Sequence, residues 1–469
     1  MIKKLFYIIL ILAIVSIVLE KYTIHGGKKP NVVVLLLDCV RQDHLSCYGY
    51  KRKTSPNIDK LAKWGCKFNF AISQSPWTAP SVASLFTGCY PATHGAGLPF
   101  ENKMFYFKAS STIRGPLESL PLMSEIFKDN GYETYFFSAN ALVNDNFYKR
   151  GCRSFVCKNK VNAEEVINYA IKNIQKFKGT KKPFFIYLHF MDSHEPLQPP
   201  EPYFNLFQFN GLKNTKIHKN WRFGKVDKQK GHDYSIYKEQ RICVYDGSIR
   251  YADEQIGRLI GEMKKMGIMK DTIFVVMADH GEEFWEHAEL EAAFYHDPRK
   301  MTGIGHGHTL FQELLHVPLI FAGPGVPAGK AINQPVRIID ILPTILELTD
   351  IPIPEHLEGR SLVKLFKEDQ NYQSPMIFSE FPAYGTLRIS LIQYPLKYIF
   401  SLGEQDFLFD IEKDKGETKN LLLSRQREAK VLLKKIKNHY QQYANEKDMK
   451  AEPFSKEDIE KLKSLGYVN

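Results

Sequence analysis

Long apolar runs recur along this chain, and several stop at a group of polar residues able to do chemistry. Asn31–Leu37 (NVVVLLL), Pro183–Phe190 (PFFIYLHF), Asp271–Met277 (DTIFVVM) and His316–Gly323 (HVPLIFAG) are such runs. Apolar stretches of this length, rich in β-branched and aromatic residues, predict strands buried on both faces of a largely parallel sheet. A further strand is expected around Lys67–Ile72, and another at Glu133–Ser138 (ETYFFS). Segments of helical period lie between them. Ser55–Gly65 carries Pro56 in its first turn and Gly65 as its stop, and Pro121–Tyr132, Ala163–Phe177, Tyr237–Gly267 and Ile338–Asp350 are also expected to be helical. This alternation predicts an α/β fold. Beyond Pro354 the pattern changes. IFSEF, ISLIQYPLKYIF and DFLFDIE suggest a small antiparallel sheet, followed by a charged helix over Lys419–Tyr443 and a short one over Glu457–Tyr467. The expected organisation is an α/β unit over 30–353 and a small α+β subdomain over 354–469.

Composition and charge add three points. Lys3 and Lys4 precede a nearly unbroken apolar run from Leu5 to Leu19, and Glu20, Lys21 and Tyr22 leave no small-residue cleavage site. Residues 1–22 therefore predict an uncleaved signal anchor, with a cleaved signal as the alternative, and a catalytic bulk outside the cytoplasm. The formal net charge is +11, but lysine is scattered and no nucleic-acid motif accompanies it, so anions and anionic lipid are the expected partners rather than nucleic acid. The seven cysteines lack CxxC spacing, which excludes a zinc ribbon. Cys152 and Cys157 are spaced to close a small loop in an oxidising compartment. The lysine-rich, aromatic stretch from Tyr203 to Tyr234 reads as an insertion.

The strand ends carry the chemistry. In open α/β sheets ligands bind beyond the carboxyl ends of the strands. Asp38 stands at one such end, His189, Asp192 and His194 at a second, and Asp279 with His280 at a third. A loop with Gly305, His306, Gly307 and His308 follows. Thr78 lies two positions before Pro80 at the start of an expected helix, where free backbone N–H groups favour an anion. Two carboxylates, an imidazole and a hydroxyl suit one divalent cation, which would lower the hydroxyl's pKa. That chemistry is displacement at phosphorus or sulfur with a covalent hydroxyl nucleophile.

At these residues the sequence resembles the sulfatase branch of the alkaline phosphatase superfamily. The resemblance runs from about Pro30 to the last residues. It is carried by PNVVVLLLDCVRQDHLSCYGY, SPNIDKLAKWG, TAPSVASLFTGCYPATHG, LHFMDSHEP, YDGSIRYADEQIGRL, ADHGEEF, GHGHTLFQELLHVPLIF, HLEGRSL and DFLFDIEKDKGETKNL. It implies a mixed, mostly parallel sheet flanked by helices, with a small C-terminal subdomain. It also implies one divalent ion (Ca, Mn or Mg) on Asp38, Asp279 and His280, with Thr78 at the nucleophile position. His194 and His306 resemble groups that bind the ester oxygens or protonate the leaving group, and His189 and His308 are further substrate-binding candidates. His189, Asp192 and His194 are candidates for a second metal.

Three departures bear on function. Active sulfatases carry a cysteine or serine oxidised to formylglycine, with an arginine four residues later, where this chain has Thr78 and Val82. Threonine bears a β-methyl and cannot yield the aldehyde. The second acidic residue of many relatives is Cys39 here. Threonine resembles the phosphodiesterase and phosphoglycerol-transferase branches, so the expected substrates are phosphoesters such as lipid head groups or envelope glycans. A sulfate ester, or anionic-glycan or lipid binding without turnover, is the alternative.

Overall fold

The computed structural model describes residues 29–97, 112–159, 161–180, 182–213, 234–299, 301–367, 372–443 and 452–453. The expected anchor over 1–22, the later part of the expected insertion and the expected Glu457–Tyr467 helix lie outside the described residues. Among the described residues no helix is long and apolar enough to cross a membrane.

The apolar runs form the centre of one mixed, mostly parallel sheet of nine strands. In chain order these are β1 (Asn31–Leu37), β2 (Cys66–Ile72), β3 (Glu133–Ser138), β4 (Ser154–Cys157), β5 (Phe184–Phe190), β6 (Thr272–Met277), β7 (His316–Ala322), β8 (Lys330–Ile332) and β9 (Val336–Arg337). The spatial order is β8-β2-β7-β6-β1-β5-β3-β4, with β9 also pairing with β2. β6, β1, β5, β3 and β4 run parallel, whereas β7 is antiparallel to both β6 and β2. Every residue of β1, β5 and β6 is buried, as continuous apolar runs require.

The helices are α1 (Pro56–Trp64), α2 (Thr78–Thr87), α3 (Met123–Asp129), α4 (Ala163–Ile174), α5 (Tyr234–Lys265) and α6 (Ile341–Leu348). α2 is buried along its whole length, which explains why its sequence has no polar stripe. It stops at Gly88, whose φ of 67° is left-handed.

The C-terminal subdomain is a four-stranded antiparallel sheet of β10 (Ile377–Glu380), β11 (Arg388–Gln393), β12 (Leu396–Ser401) and β13 (Phe407–Asp410). The run ISLIQYPLKYIF thus splits into a hairpin, β11 and β12, which pair in antiparallel register. Alternation along the strands separates two faces. Phe378, Ile389, Leu391, Tyr398 and Leu408 pack with Ala429, Leu432 and Ile436 of α7 (Gln426–Tyr443), while Ile377, Ile392, Ile399, Phe407 and Phe409 pack on Ile72, Phe311 and Leu315 of the larger unit. α7 begins later than the sequence suggests, because residues before it are tied to β13. Leu421 donates its N–H to the Leu408 carbonyl, and Asn420 Oδ1 accepts from Leu408 N–H. The expected Cys152–Cys157 loop closure is not made. Neither cysteine is in a disulfide; Cys152 Sγ faces the Tyr148 carbonyl at 3.4 Å and Cys157 Sγ that of Asn140 at 3.5 Å.

Buried charge ties the two units together. His287 Nδ1 meets Glu313 at 2.6 Å, its Nε2 donates to the Gly416 carbonyl at 3.1 Å, and its ring stacks on Phe311. Burial opposes its protonation, but Glu313 outweighs burial and lifts its pKa from 6.5 to about 9. Such a pair contributes fully below pH 6.5 and loses its contribution as pH rises through 9. Melting temperature is therefore expected to fall between these limits, with about 3 kcal/mol at stake, and His287→Gln should flatten the profile. An equally steep fall in the variant would place the titration elsewhere.

Candidate active site

Four neighbouring parallel strands deliver polar groups to the same edge. β1 ends at Asp38, β5 carries His189 one residue before its end, β6 is followed by Asp279 and His280, and β3 by Asn140. Thr78, the first residue of α2, completes the group. Asp38, Asn140, His189, Thr78, Asp279 and His280 are all fully buried.

Asp38 is the hub. Its Oδ2 accepts from Asn140 Nδ2 at 2.7 Å and His189 Nε2 at 3.0 Å, with Thr78 Oγ1 at 3.4 Å, and its Oδ1 faces Cys39 Sγ at 3.1 Å. Burial works against its charge, but the His189 hydrogen bond and the fields of His194, His189 and His280 hold its pKa well below the usual carboxylate range. Asp279 is treated differently. Its Oδ1 accepts the backbone N–H groups of His280 at 3.0 Å and Cys39 at 3.3 Å, while its Oδ2 has no hydrogen-bond partner. Burial, and then the nearby Asp38 charge, push its pKa up. Cys39 adopts a φ of 60°, unusual for a residue with a side chain, and this turn directs its N–H at Asp279.

His280 donates from Nδ1 to the Gly281 carbonyl at 2.9 Å, which leaves Nε2 facing Thr78 Oγ1 at 3.2 Å. Gly281 is obligatory here, since a Cβ would lie 1.9 Å from the Glu313 carbonyl oxygen. Oxygen or nitrogen atoms of Asp38, Asp279 and His280 lie within 4.8 Å of one another. This set fits a divalent cation: two buried carboxylates repel, and the buried Asp279 Oδ2 accepts no hydrogen bond, with only His280 Nε2 at 3.5 Å. The sequence-predicted ligands Asp38, Thr78, Asp279 and His280 are thus brought together.

His306 and His194 adjoin this group. The His306 ring centroid is 4.4 Å from that of His280 and 4.9 Å from that of His194. His306 Nδ1 donates to Glu282 at 2.7 Å, and Glu282 also accepts from Arg241 at 3.0 Å. Burial opposes the Glu282 charge, but His306 and Arg241 bring its pKa to about 2. Burial, then His280, lowers His306 to about 3. The pair at neutral pH is therefore a carboxylate holding a neutral imidazole by Nδ1–H, with the lone pair on Nε2.

His189 lies in the group but turns to protein partners: Nε2 meets Asp38, and Nδ1 meets Tyr187 Oη at 3.1 Å. His308 lies in a different buried cluster, with Nε2 at 2.9 Å from Glu283 and 3.3 Å from Glu291. Asp192 accepts from Ala163 N–H at 3.1 Å, at the start of α4. Val82 is packed in the main hydrophobic core. Sequence reasoning missed Asn140, Glu282 and Arg241.

The chain matches a known family. The sulfatase family matches residues 30–351. The chain belongs to it. The C-terminal region of N-sulphoglucosamine sulphohydrolase matches residues 306–446. An arylsulfatase of Clostridium perfringens is 25% identical over 480 residues, covering 89% of this chain and 96% of its own. The crystal structure of Ps i-CgsB in complex with k-i-k-neocarrahexaose aligns with a TM-score of 0.68 at 19% identity, over 93% of this chain and 98% of that one. That of the phosphonate monoester hydrolase of Agrobacterium radiobacter aligns at 0.67 and 18% identity, over 88% and 96%. The sulfatase-family chain is accordingly an enzyme of the metal-dependent ester hydrolase class.

A metal-stripped sample titrated with Mn²⁺ to about 100 times Kd is expected to gain roughly 4 °C in melting temperature. Asp279→Asn should abolish most of that gain. An undiminished response in the variant would move the cation elsewhere.

Proposed function

We propose that this sulfatase-family enzyme hydrolyses phosphodiesters, or transfers their phosphoryl group, with Thr78 as the covalent nucleophile. The observation that carries this reading is Thr78 Oγ1 lying 3.2 Å from His280 Nε2 and 3.4 Å from Asp38 Oδ2. Asp38, Asp279 and His280 would hold the divalent cation beside that oxygen. When bound, the cation supplies positive charge that favours the alkoxide and the developing charge on phosphorus.

The remaining work falls to this chain's residues. In the first displacement Thr78 Oγ bonds to phosphorus, its proton passes to the His194–His306 pair, and the ester P–O bond breaks. The departing oxygen takes that proton. In the second, water bonds to phosphorus and gives one proton to the imidazole, the Oγ–P bond breaks, and Oγ recovers that proton. Glu282 holds His306 in the tautomer that presents Nε2 to these transfers.

Charge favours a monoanionic diester over a dianionic monoester. Arg241 is already paired with Glu195 at 2.5 Å and Glu282 at 3.0 Å, and Arg41 with Asp43 at 2.8 Å and Glu286 at 2.6 Å. Among the described residues, a dianion would meet Asp38 and Asp279 without a free guanidinium from Arg41 or Arg241. Lipid head groups and phosphorylated envelope glycans are diesters of this kind. A sulfate ester is the second reading. It is also monoanionic, and sulfatase is the name carried by the C. perfringens relative, but Thr78 cannot form the aldehyde and Val82 stands where those enzymes place an arginine.

With Mn²⁺ present, bis(p-nitrophenyl) phosphate is expected to turn over at least tenfold faster than p-nitrophenyl phosphate or p-nitrophenyl sulfate. Thr78→Ala should reduce kcat by roughly a thousandfold or more. A quenched reaction should yield a Thr78 peptide heavier by one phosphoryl group. Faster sulfate turnover would favour the second reading, and full activity in Thr78→Ala would remove the nucleophile.

A further inference from the structure

Asn140 follows β3, a central strand whose end the metal chemistry does not use. Its backbone is pinned by Ser138, whose Oγ lies 3.1 Å from Asn140 N and 3.0 Å from its carbonyl oxygen. Its side chain is pinned as well. Oδ1 accepts the Leu142 N–H at 2.9 Å, and because that donor is a backbone amide, the orientation of the carboxamide is settled: the NH₂ must be the end that faces the site. Nδ2 then reaches two acceptors, Asp38 Oδ2 at 2.7 Å and Thr78 Oγ1 at 3.3 Å. The two amide hydrogens suffice for both. The side chain is fully buried, so water does not compete for either bond.

We infer that Asn140 is a catalytic residue, a fixed neutral donor that stabilises negative charge on Thr78 Oγ. This rests on the proposed role of Thr78. With Oγ accepting from Asn140, the hydroxyl is further positioned by Asp38 Oδ2 at 3.4 Å and His280 Nε2 at 3.2 Å before its proton passes to the His194–His306 pair. A donor already oriented in a dry site costs no reorganisation as charge develops. A lysine or arginine there would do this too, but would add a full charge next to the cation site. An amide provides the donor while leaving the carboxylates' charge for the metal.

The test uses the full chain with saturating Mn²⁺ and bis(p-nitrophenyl) phosphate. Asn140→Ala should lower kcat roughly a hundredfold with KM changed less than threefold. Asn140→Asp keeps the shape and the acceptor for Leu142 N–H, yet places a carboxylate oxygen against Thr78 Oγ and Asp38, and should lower kcat further. Melting temperature and the Mn²⁺ dissociation constant are measured on the same samples. A folded Asn140→Ala with kcat within threefold of the parent, while Thr78→Ala is inactive, would overturn the inference and leave the nucleophile standing. So would a loss in kcat that excess Mn²⁺ restores, since Asn140 would then act through the cation site. Activity surviving in Thr78→Ala would instead bring down the reading on which the inference rests.

Discussion

Two carboxylates, Asp38 and Asp279, are buried together at the ends of adjacent parallel strands, and this repulsion organises the site. Burying one charged carboxylate costs several kcal/mol unless it is matched by donors or opposite charge. Asp38 is matched by protein: His189, Asn140, Cys39 and the Thr78 hydroxyl converge on its two oxygens. Asp279 accepts hydrogen bonds on one oxygen only, and the other, buried, has no hydrogen bond and only His280 Nε2 at 3.5 Å beside it. The asymmetry divides the labour. One carboxylate is held ionised by the fold, and the other would be completed by a cation. Thr78, at the start of a fully buried helix, is brought to the same point, so a charge that relieved the repulsion would also lie beside its oxygen.

Much of this is legible in the sequence because buried parallel strands leave an unmistakable signature. NVVVLLL, PFFIYLHF and DTIFVVM are continuous apolar runs, and the first polar residue after NVVVLLL and after DTIFVVM stands at the ligand edge, whereas after PFFIYLHF it is Asp192, which turns to the start of α4. That rule alone locates Asp38, Asp279 and His280, and the motif resemblance adds Thr78. The same rule applied to ETYFFS would have pointed to Asn140, two residues beyond Ser138. It was hidden because an asparagine after a strand reads as an ordinary turn residue, and only the Leu142 N–H reveals which way its amide faces. His308 shows the opposite limit. Only Gly307 separates it from His306 in sequence, but the left-handed φ of 78° at Gly307 breaks the alternation that would place both rings on one side, and one goes to Glu282 and the other to Glu283 and Glu291. Spacing cannot distinguish those destinations, since both are buried and acidic.

The C-terminal subdomain is also part of the site's scaffold. Glu380 donates its N–H to the Gln74 carbonyl, and the Phe381 carbonyl accepts from Trp77 Nε1 at 2.8 Å. Those contacts brace the loop that precedes Thr78. Tyr384 N–H donates to the Gly307 carbonyl, and Arg388 donates to that of His308 at 2.6 Å, bracing the loop that carries His306. Gly307 permits this approach, with a φ of 78° and only 3.3 Å between a built Cβ and Ala383. The nucleophile loop and the imidazole loop come from segments more than 200 positions apart, and the same short stretch of the small sheet holds both. The apolar face shared with Phe311 and Leu315 and the fully buried Lys397–Glu417 ion pair, 2.7 Å long, keep that stretch in place. A buried ion pair adds little net stability against apolar residues of the same volume, but it tolerates few alternative registers. The subdomain therefore contributes position rather than chemistry: it fixes where Thr78 and His306 stand relative to two carboxylates that the main sheet alone supplies.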